Sequence, residues 1–309
     1  MTSEKKAVGA LKNCPGCSSH PSRWKPWVSY ESQAWFRCRD CRLGFLIPYL
    51  DEARNDHPEI ARTYAGYGAQ SEVFRGVATE KAQWILREFQ ALARNGGSPT
   101  RQIIEVGPGT GAVALELKRL APEIRYLALD SNPEFVEKLR DSGVEASVVT
   151  DPSDVERIVS GRDLAGSCVI VFMDNVLEHW KHPVPFLEKL LNCLPVTSRL
   201  LIEVPNEQGI RWRARIQDFL RGVRKAPTFP GHIHLFTYGS LRSLLRRLNF
   251  SHRIWRHPLR EPDQIRYLMQ SPVVPPRARW ALSFLKWVPV DRWLGAEYWL
   301  RASVGVHRR

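Results

Sequence analysis

Ile103-Ile104-Glu105-Val106-Gly107-Pro108-Gly109-Thr110-Gly111, or I-I-E-V-G-P-G-T-G, runs a short apolar stretch straight into three alternating glycines. Gln102 to Val106 has the length and side chains of a buried strand, and Thr110 to Leu120 then takes up a helical pattern. Glycines at such a turn leave the main chain and the helix N-terminus open to a ligand. Working outward, the pattern recurs. Tyr126–Leu129, Ala146–Val149, Cys168–Met173 and Arg199–Val204 read as strands, with helices over Pro133–Arg140 and Val184–Leu194. Alternation at this spacing predicts right-handed β-α-β units and a parallel sheet covered on both faces. The expected fold class is therefore α/β, a Rossmann-like doubly wound sheet. A helix over Ser240–Leu248 and strands over Phe250–Trp255 and Tyr298–Val306 complete it.

Three segments follow from this reading: a small module over 1–50, a helical lead-in over 51–98, and the main domain over 99–309 with inserts at about 206–230 and 258–297. The lead-in carries an amphipathic stretch, Val73–Leu92, that stops at Asn95-Gly96-Gly97. Lysine and arginine outnumber the acids 45 to 32, a formal charge of +13, which favours anionic partners such as nucleotide-sugars, acidic lipid headgroups or RNA. Met1 to Lys12 has no following apolar region of the signal-peptide kind, so a cytoplasmic location is expected. No transmembrane segment is expected either, since the Trp-rich stretch Trp280–Leu300 is interrupted by Lys286, Pro289, Asp291 and Arg292.

The glycine loop alone leaves two cofactors open. Gly107, Gly109 and Ala112, with Asp130 further on, also fit the dinucleotide fingerprint, so an NAD-dependent enzyme competes. Glu105, two residues before the first glycine, separates them: a carboxylate there repels a pyrophosphate but favours the sulfonium and amino group of S-adenosylmethionine (SAM). Asp130, ending the next strand, is placed to accept ribose hydroxyls, as it would for either cofactor. Asp151 has two readings, an adenine-side contact or the N-cap of a helix starting at Pro152.

The ordered series E-V-G-P-G-T-G, L-A-L-D, F-M-D-N-V-L-E-H and I-E-V-P-N resembles the motifs of class I SAM-dependent methyltransferases over roughly residues 60 to 309. The resemblance implies a seven-stranded sheet with a reversed final strand and SAM at the carboxyl ends of the first strands. It implies cofactor contacts at Glu105, Gly107, Gly109, Gly111, Asp130 and Asp151.

Asn175, Glu178 and His179 close the fourth strand on the same cleft edge, where an acceptor meets the methyl group. Transfer needs an aligned nucleophile, exclusion of water and, for a hydroxyl, removal of a proton; His179 is the candidate base. His234, in G-H-I-H-L-F-T, joins Glu178 and His179 as a second option. That set is similar to small-RNA 3′-end and ubiquinone-pathway O-methyltransferases, which hold magnesium with a comparable Glu-His pair. Asn175 stands where such sites have a further carboxylate, and Mg²⁺ prefers carboxylate oxygens to an amide. The third reading makes His179 and His234 structural braces of the cleft.

Cys14-x-x-Cys17 and Cys38-x-x-Cys41, separated by 20 residues, fit two knuckles closing one structural Zn²⁺ site of four thiolates. Ser18 and Arg42 occupy the positions after each pair where knuckles often carry glycine. Cys168 and Cys193 lie in apolar runs and read as inert thiols. C-R-D-C-R-L-G-F-L-I-P followed by T-Y-A-G-Y resembles bacterial methyltransferases with an N-terminal zinc ribbon that act in glycan or secondary-metabolite pathways. That resemblance implies O-methylation of a sugar, glycan or other small acceptor. Arg211, Arg213, Arg215, Arg221, Arg224 and Lys225 are candidates to hold an anionic group of it. The segment with Trp280, Trp287, Trp293 and Trp299 is read either as a peripheral membrane contact or as packing over the sheet edge. The competing functions are an RNA methyltransferase using the ribbon and basic surface as its grip, and a non-catalytic binding protein.

Overall fold

The computed structural model describes residues 11–30, 33–47, 72–94, 100–206, 232–257 and 299–308. The lead-in before Glu72, the Asn95-Gly96-Gly97 stop, the basic insert from Arg211 to Lys225, and Trp280, Trp287 and Trp293 lie outside the described residues.

Two sheets organise the chain. The larger has seven strands: β4 (Arg101–Val106), β5 (Arg125–Asp130), β6 (Glu145–Val148), β7 (Cys168–Asp174), β8 (Arg199–Pro205), β10 (Phe250–His257) and β11 (Trp299–Arg308). Their order is β10-β11-β8-β7-β4-β5-β6. The five central and edge strands from β8 to β6 pair in parallel, and only β11 runs against its neighbours β8 and β10. This is the expected Rossmann-like sheet with a reversed final strand. Trp299, grouped by sequence with the Trp-rich segment, instead opens β11 and is buried there.

Helices cover both faces: α1 (Glu72–Arg94), α2 (Ala112–Leu120), α3 (Pro133–Asp141), α4 (Pro152–Ser160), α5 (Pro183–Asn192) and α6 (Tyr238–Arg247). Their starts are set locally. Asn132 caps α3 and Asp151 caps α4, each followed by proline, whose fixed φ suits the first helical position, while Thr237 and Ser240 form a reciprocal capping box on α6. Alternate residues of β4 feed opposite cores. Ile104 and Val106 join one with β7, β8 and α5, and Ile103 joins another with Ala78, Ala82, Ile85 and Phe89 of α1.

The second sheet is antiparallel: β1 (Trp24–Tyr30), β2 (Gln33–Cys38), β3 (Gly44–Ile47) and β9 (His234–Leu235), in that order. Its first three strands belong to the cysteine module and the fourth comes from the main domain. Module and domain also share one core, in which Trp24, Phe36 and Phe45 sit with Leu177, Phe236 and Leu241. No helix among the described residues is long and apolar enough to cross a membrane.

Candidate active site

The glycine loop lies where the alternation placed it, between β4 and α2. Gly107 and Gly111 have φ of +71° and +73°, a region costly for any residue with a Cβ, and neither has room for one. A Cβ on Gly107 would sit 2.5 Å from Val176 Cγ2, and one on Gly111 would sit 2.3 Å from Leu139 Cδ2. The first contact is informative: Val176 belongs to the D-N-V-L-E-H turn, so the glycine loop and that turn pack directly against each other.

Asp130 ends β5 beside this loop. Its two carboxylate oxygens accept from the main-chain N–H of Gly109 at 2.9 Å and of Asn132 at 2.8 Å. Burial nevertheless raises its pKa above the ordinary value. Glu105 is buried too, and Tyr126 Oη donates to its Oε2. It lies on the α1 side of the sheet rather than in an open cleft, with its pKa held high first by burial and then by Asp174. Asp151 takes the capping geometry: its Oδ1 accepts from Ser153 N at 2.6 Å and Asp154 N at 3.3 Å, and the side chain is exposed.

A buried ion cluster adjoins Glu105. Lys81 of α1 reaches Asp174 Oδ2 at 2.5 Å and Glu203 Oε1 at 2.8 Å. Arg301 of β11 bonds Glu203 and also binds Glu80 through paired contacts at 2.6 Å. Burial alone would lower the Lys81 pKa, yet the carboxylates of Asp174 and Glu203 overcome it and raise it. Asp174 is pushed up to about 6, because burial outweighs the attraction of Lys81. The cluster ties the lead-in helix to the carboxyl ends of β7 and β8. Lys81 was not singled out from sequence, although it left a signal, a lysine inside the apolar stripe Ala78, Ala82, Ile85, Phe89.

On the acceptor side, Asn175 adopts φ +53° and sends Nδ2 to Asp174 Oδ1 at 2.9 Å. A short 3₁₀ turn, Leu177–His179, follows. Donor atoms of Glu178, His179 and His232 gather within 4.8 Å of one another. The His179 and His232 rings meet edge to face with centroids 4.8 Å apart, and His232 Nε2 is 3.9 Å from Glu178 Oε1. The expected partner, His234, is not in this group; His232 takes its place. Pairing of β9 with β3 sets His234 opposite Phe45 and turns its ring into the core, where burial lowers its pKa to about 3 and it bonds the Leu177 main chain. Glu178 is 1% exposed, and among the described residues no other side chain hydrogen-bonds its carboxylate oxygens. Burial raises its pKa to about 8 and pushes that of His232 well below the ordinary imidazole value. One carboxylate with two imidazoles is not the oxygen-rich set a hard magnesium ion takes. These residues therefore do not fit magnesium.

The cysteines converge as spacing predicted. Cys14 Sγ lies 3.7 Å from Cys41 Sγ and Cys17 Sγ 3.6 Å from Cys38 Sγ. Thiolates about 2.3 Å from a tetrahedral zinc stand roughly 3.8 Å apart, so the donor set fits that ion. Both knuckles close alike, with Ser18 N on Cys14 O at 2.8 Å and Arg42 N on Cys38 O at 3.1 Å. Ser18 and Arg42 take φ of 62° and 66°, the left-handed conformation that explains the usual glycine.

A family model described as a methyltransferase domain matches residues 73–253, more than half the chain. The chain belongs to the methyltransferase domain family. Within it, the chain is 29% identical over 119 residues to trans-aconitate 2-methyltransferases of Mycobacterium sp. strains KMS and JLS. The match covers 38% of this chain and 43% of each relative, so the chain spans less than half the length of these curated proteins. Among solved structures, the plantazolicin methyltransferase BamL, in complex with a triazolic desmethylPZN analog and SAH, superposes with a TM-score of 0.52 at 14% identity. That match covers 82% of this chain and 93% of BamL. At that identity the likeness is one of fold. In this methyltransferase domain the family match takes in α1, the glycine loop, Asp130, the Glu178–His179 turn and His232 alike.

Proposed function

We propose that the protein transfers a methyl group from SAM to an oxygen of a small acceptor, a sugar or similar oxygen-bearing molecule, with His179 as the base. The observation that carries this reading is the contact of Gly107 with Val176, which sets a cofactor loop against a turn bearing a carboxyl group and a histidine, with a second histidine beside them. The relatives are named for trans-aconitate and BamL for plantazolicin, and neither name is that of a nucleic acid.

SAM supplies an electrophilic methyl group on a positively charged sulfur. The chain supplies the rest. Gly107 to Thr110 stay partly exposed at the end of β4, where a ligand can approach, and Asp130, held by two main-chain N–H groups, is fixed to accept from vicinal hydroxyls. Glu105, Asp130 and Asp174 carry pKa values raised by burial, a cost that a nearby cation offsets. Near neutral pH Glu178 holds its proton and can donate a hydrogen bond, while burial keeps His232 neutral. His179 then takes the acceptor proton in a pocket with no fixed charge from its two neighbours.

Cys14, Cys17, Cys38 and Cys41 are assigned a structural zinc ion. The transfer reaction is tested with tritium-labelled SAM and fractionated lysate, including saccharide, lipid and RNA fractions. Label should enter a low-molecular-weight or saccharide fraction with the parent protein and not with His179→Ala. Label in RNA would overturn the acceptor class, and full transfer by His179→Ala would remove the base.

A further inference from the structure

The cysteine module reaches the acceptor side through a continuous chain of main-chain bonds. Cys38 N donates to Leu43 O at 3.0 Å, closing the second knuckle onto the start of β3. β3 pairs with β9, Gly44 opposite Leu235 and Phe45 opposite His234. One step further, Leu46 N donates to Ile233 O at 3.1 Å, and Ile233 N donates to Glu178 O at 3.0 Å. Ile233 is thus bonded on one side to the ribbon and on the other to the Glu178 turn, and His232 is its chain neighbour. Two side contacts lock the register. A Cβ on Gly44 would lie 3.1 Å from Leu235 Cβ and 3.2 Å from Trp27 Cζ3, a fit tight enough that a branched side chain must push the strands apart, and Arg247 Nη1 of α6 bonds Pro15 O in the first knuckle at 3.2 Å. The glycine loop is hydrogen-bonded inside the large sheet, Gly107 N on Leu129 O at 2.7 Å, and meets the Glu178 turn through side-chain packing with Val176.

We infer that the ribbon is the positioning element of the acceptor side: through β3 and Ile233 it sets where His232 and the Glu178 turn stand, so that opening the four-cysteine clamp displaces them while the cofactor loop stays in place. The inference gives the ribbon a role inside the reaction site rather than as a separate grip for substrate. It rests on the zinc assignment only for the metal-removal arm of its test.

The test is hydrogen exchange, read by NMR at single amides, on the full chain with zinc quantified in each sample. Removing zinc with a chelator under reducing conditions should speed exchange at Leu46 and Ile233 by tenfold or more while Gly107 changes by less than twofold. Carbethoxylation of His232 should quicken in parallel, and SAH affinity should stay within twofold. The second arm keeps the metal. Gly44→Val forces β3 from β9, and this variant should retain its zinc and SAH affinity yet show the same faster exchange at Ile233 and the same reactive His232. Equal acceleration at Gly107 in either arm would overturn the proposal, because the ribbon would then be part of the general fold. Unchanged exchange at Ile233 in Gly44→Val would overturn it too. Protein isolated without zinc would sink the metal assignment alone, leaving the Gly44→Val arm to decide the positioning role.

Discussion

Replacing Glu178 with glutamine should change how stability depends on pH. The carboxyl group is 1% exposed, no other side chain among the described residues bonds it, and burial raises its pKa from 4.5 to about 8. Between these values the folded protein holds a proton that the unfolded chain has released. Stability therefore falls as pH rises from about 4.5 through 8 and levels off above. The span of about 3.5 units, at about 1.36 kcal/mol each, corresponds to roughly 5 kcal/mol, or about 3–6 if the folded value is good to one unit. Unfolding entropy near 2.1 cal/mol/K per residue gives about 0.65 kcal/mol/K for a chain of this length, so Tm should drop by about 5–9 °C from this group. Scanning calorimetry of zinc-loaded parent and Glu178→Gln at pH 5 and pH 8 isolates the effect, since all other titrations cancel in the difference. Because pH 5 to pH 8 takes in only about 2–3 of those units, the parent should lose about 4–6 °C more than the variant. Parallel pH slopes, within about 2 °C, would show that Glu178 is ionised or solvated in the folded protein and would refute a neutral acceptor pocket.

Asp130→Asn removes the carboxylate that two main-chain N–H groups fix beside the glycine loop, and should weaken SAH binding at least about tenfold by calorimetry without changing the fold. Asp151→Ala removes an N-cap and should lower Tm slightly, with SAH affinity unchanged. A tenfold loss of affinity there would restore Asp151 to the cofactor site. His234→Phe should remove an acid-sensitive term. The buried ring has a pKa lowered from 6.5 to about 3, so in the parent its contribution is present above pH 6.5 and is lost as pH falls toward 3. Tm of the variant should accordingly fall less between pH 6.5 and pH 4, while His232→Ala, placed on the reaction side, should lose transfer instead.

Local rules carried most of the large sheet. Strands such as Cys168–Met173 are continuous apolar runs buried on both faces, and glycines with positive φ follow β4 where a turn must leave room. The cysteine pairs were equally plain, because tetrahedral thiolate geometry dictates their spacing. Helix α4 was less visible, since Asp151-Pro152 signalled a start without settling whether the aspartate capped a helix or met a ligand. The choice between His232 and His234 was not legible locally. Both stand two residues apart in G-H-I-H, and which ring faces the site depends on the pairing of β9 with β3, a strand from the far end of the sequence. The three strands of the cysteine module were hidden for a related reason. Their inward aromatic residues, Trp24, Phe36 and Phe45, pack on one another and on the main domain rather than on a core of their own. Lys81 shows how long-range charge overrides a helical pattern, a lysine buried because Asp174 and Glu203 wait beneath it.

The glycine loop and its acidic neighbours are proposed to hold a sulfonium cofactor rather than a dinucleotide. Isothermal titration of the full chain, first with SAM or SAH and separately with NAD, measures this directly. Saturable heat at micromolar SAM or SAH and none with NAD is the predicted result; heat with NAD and none with SAM or SAH would contradict it.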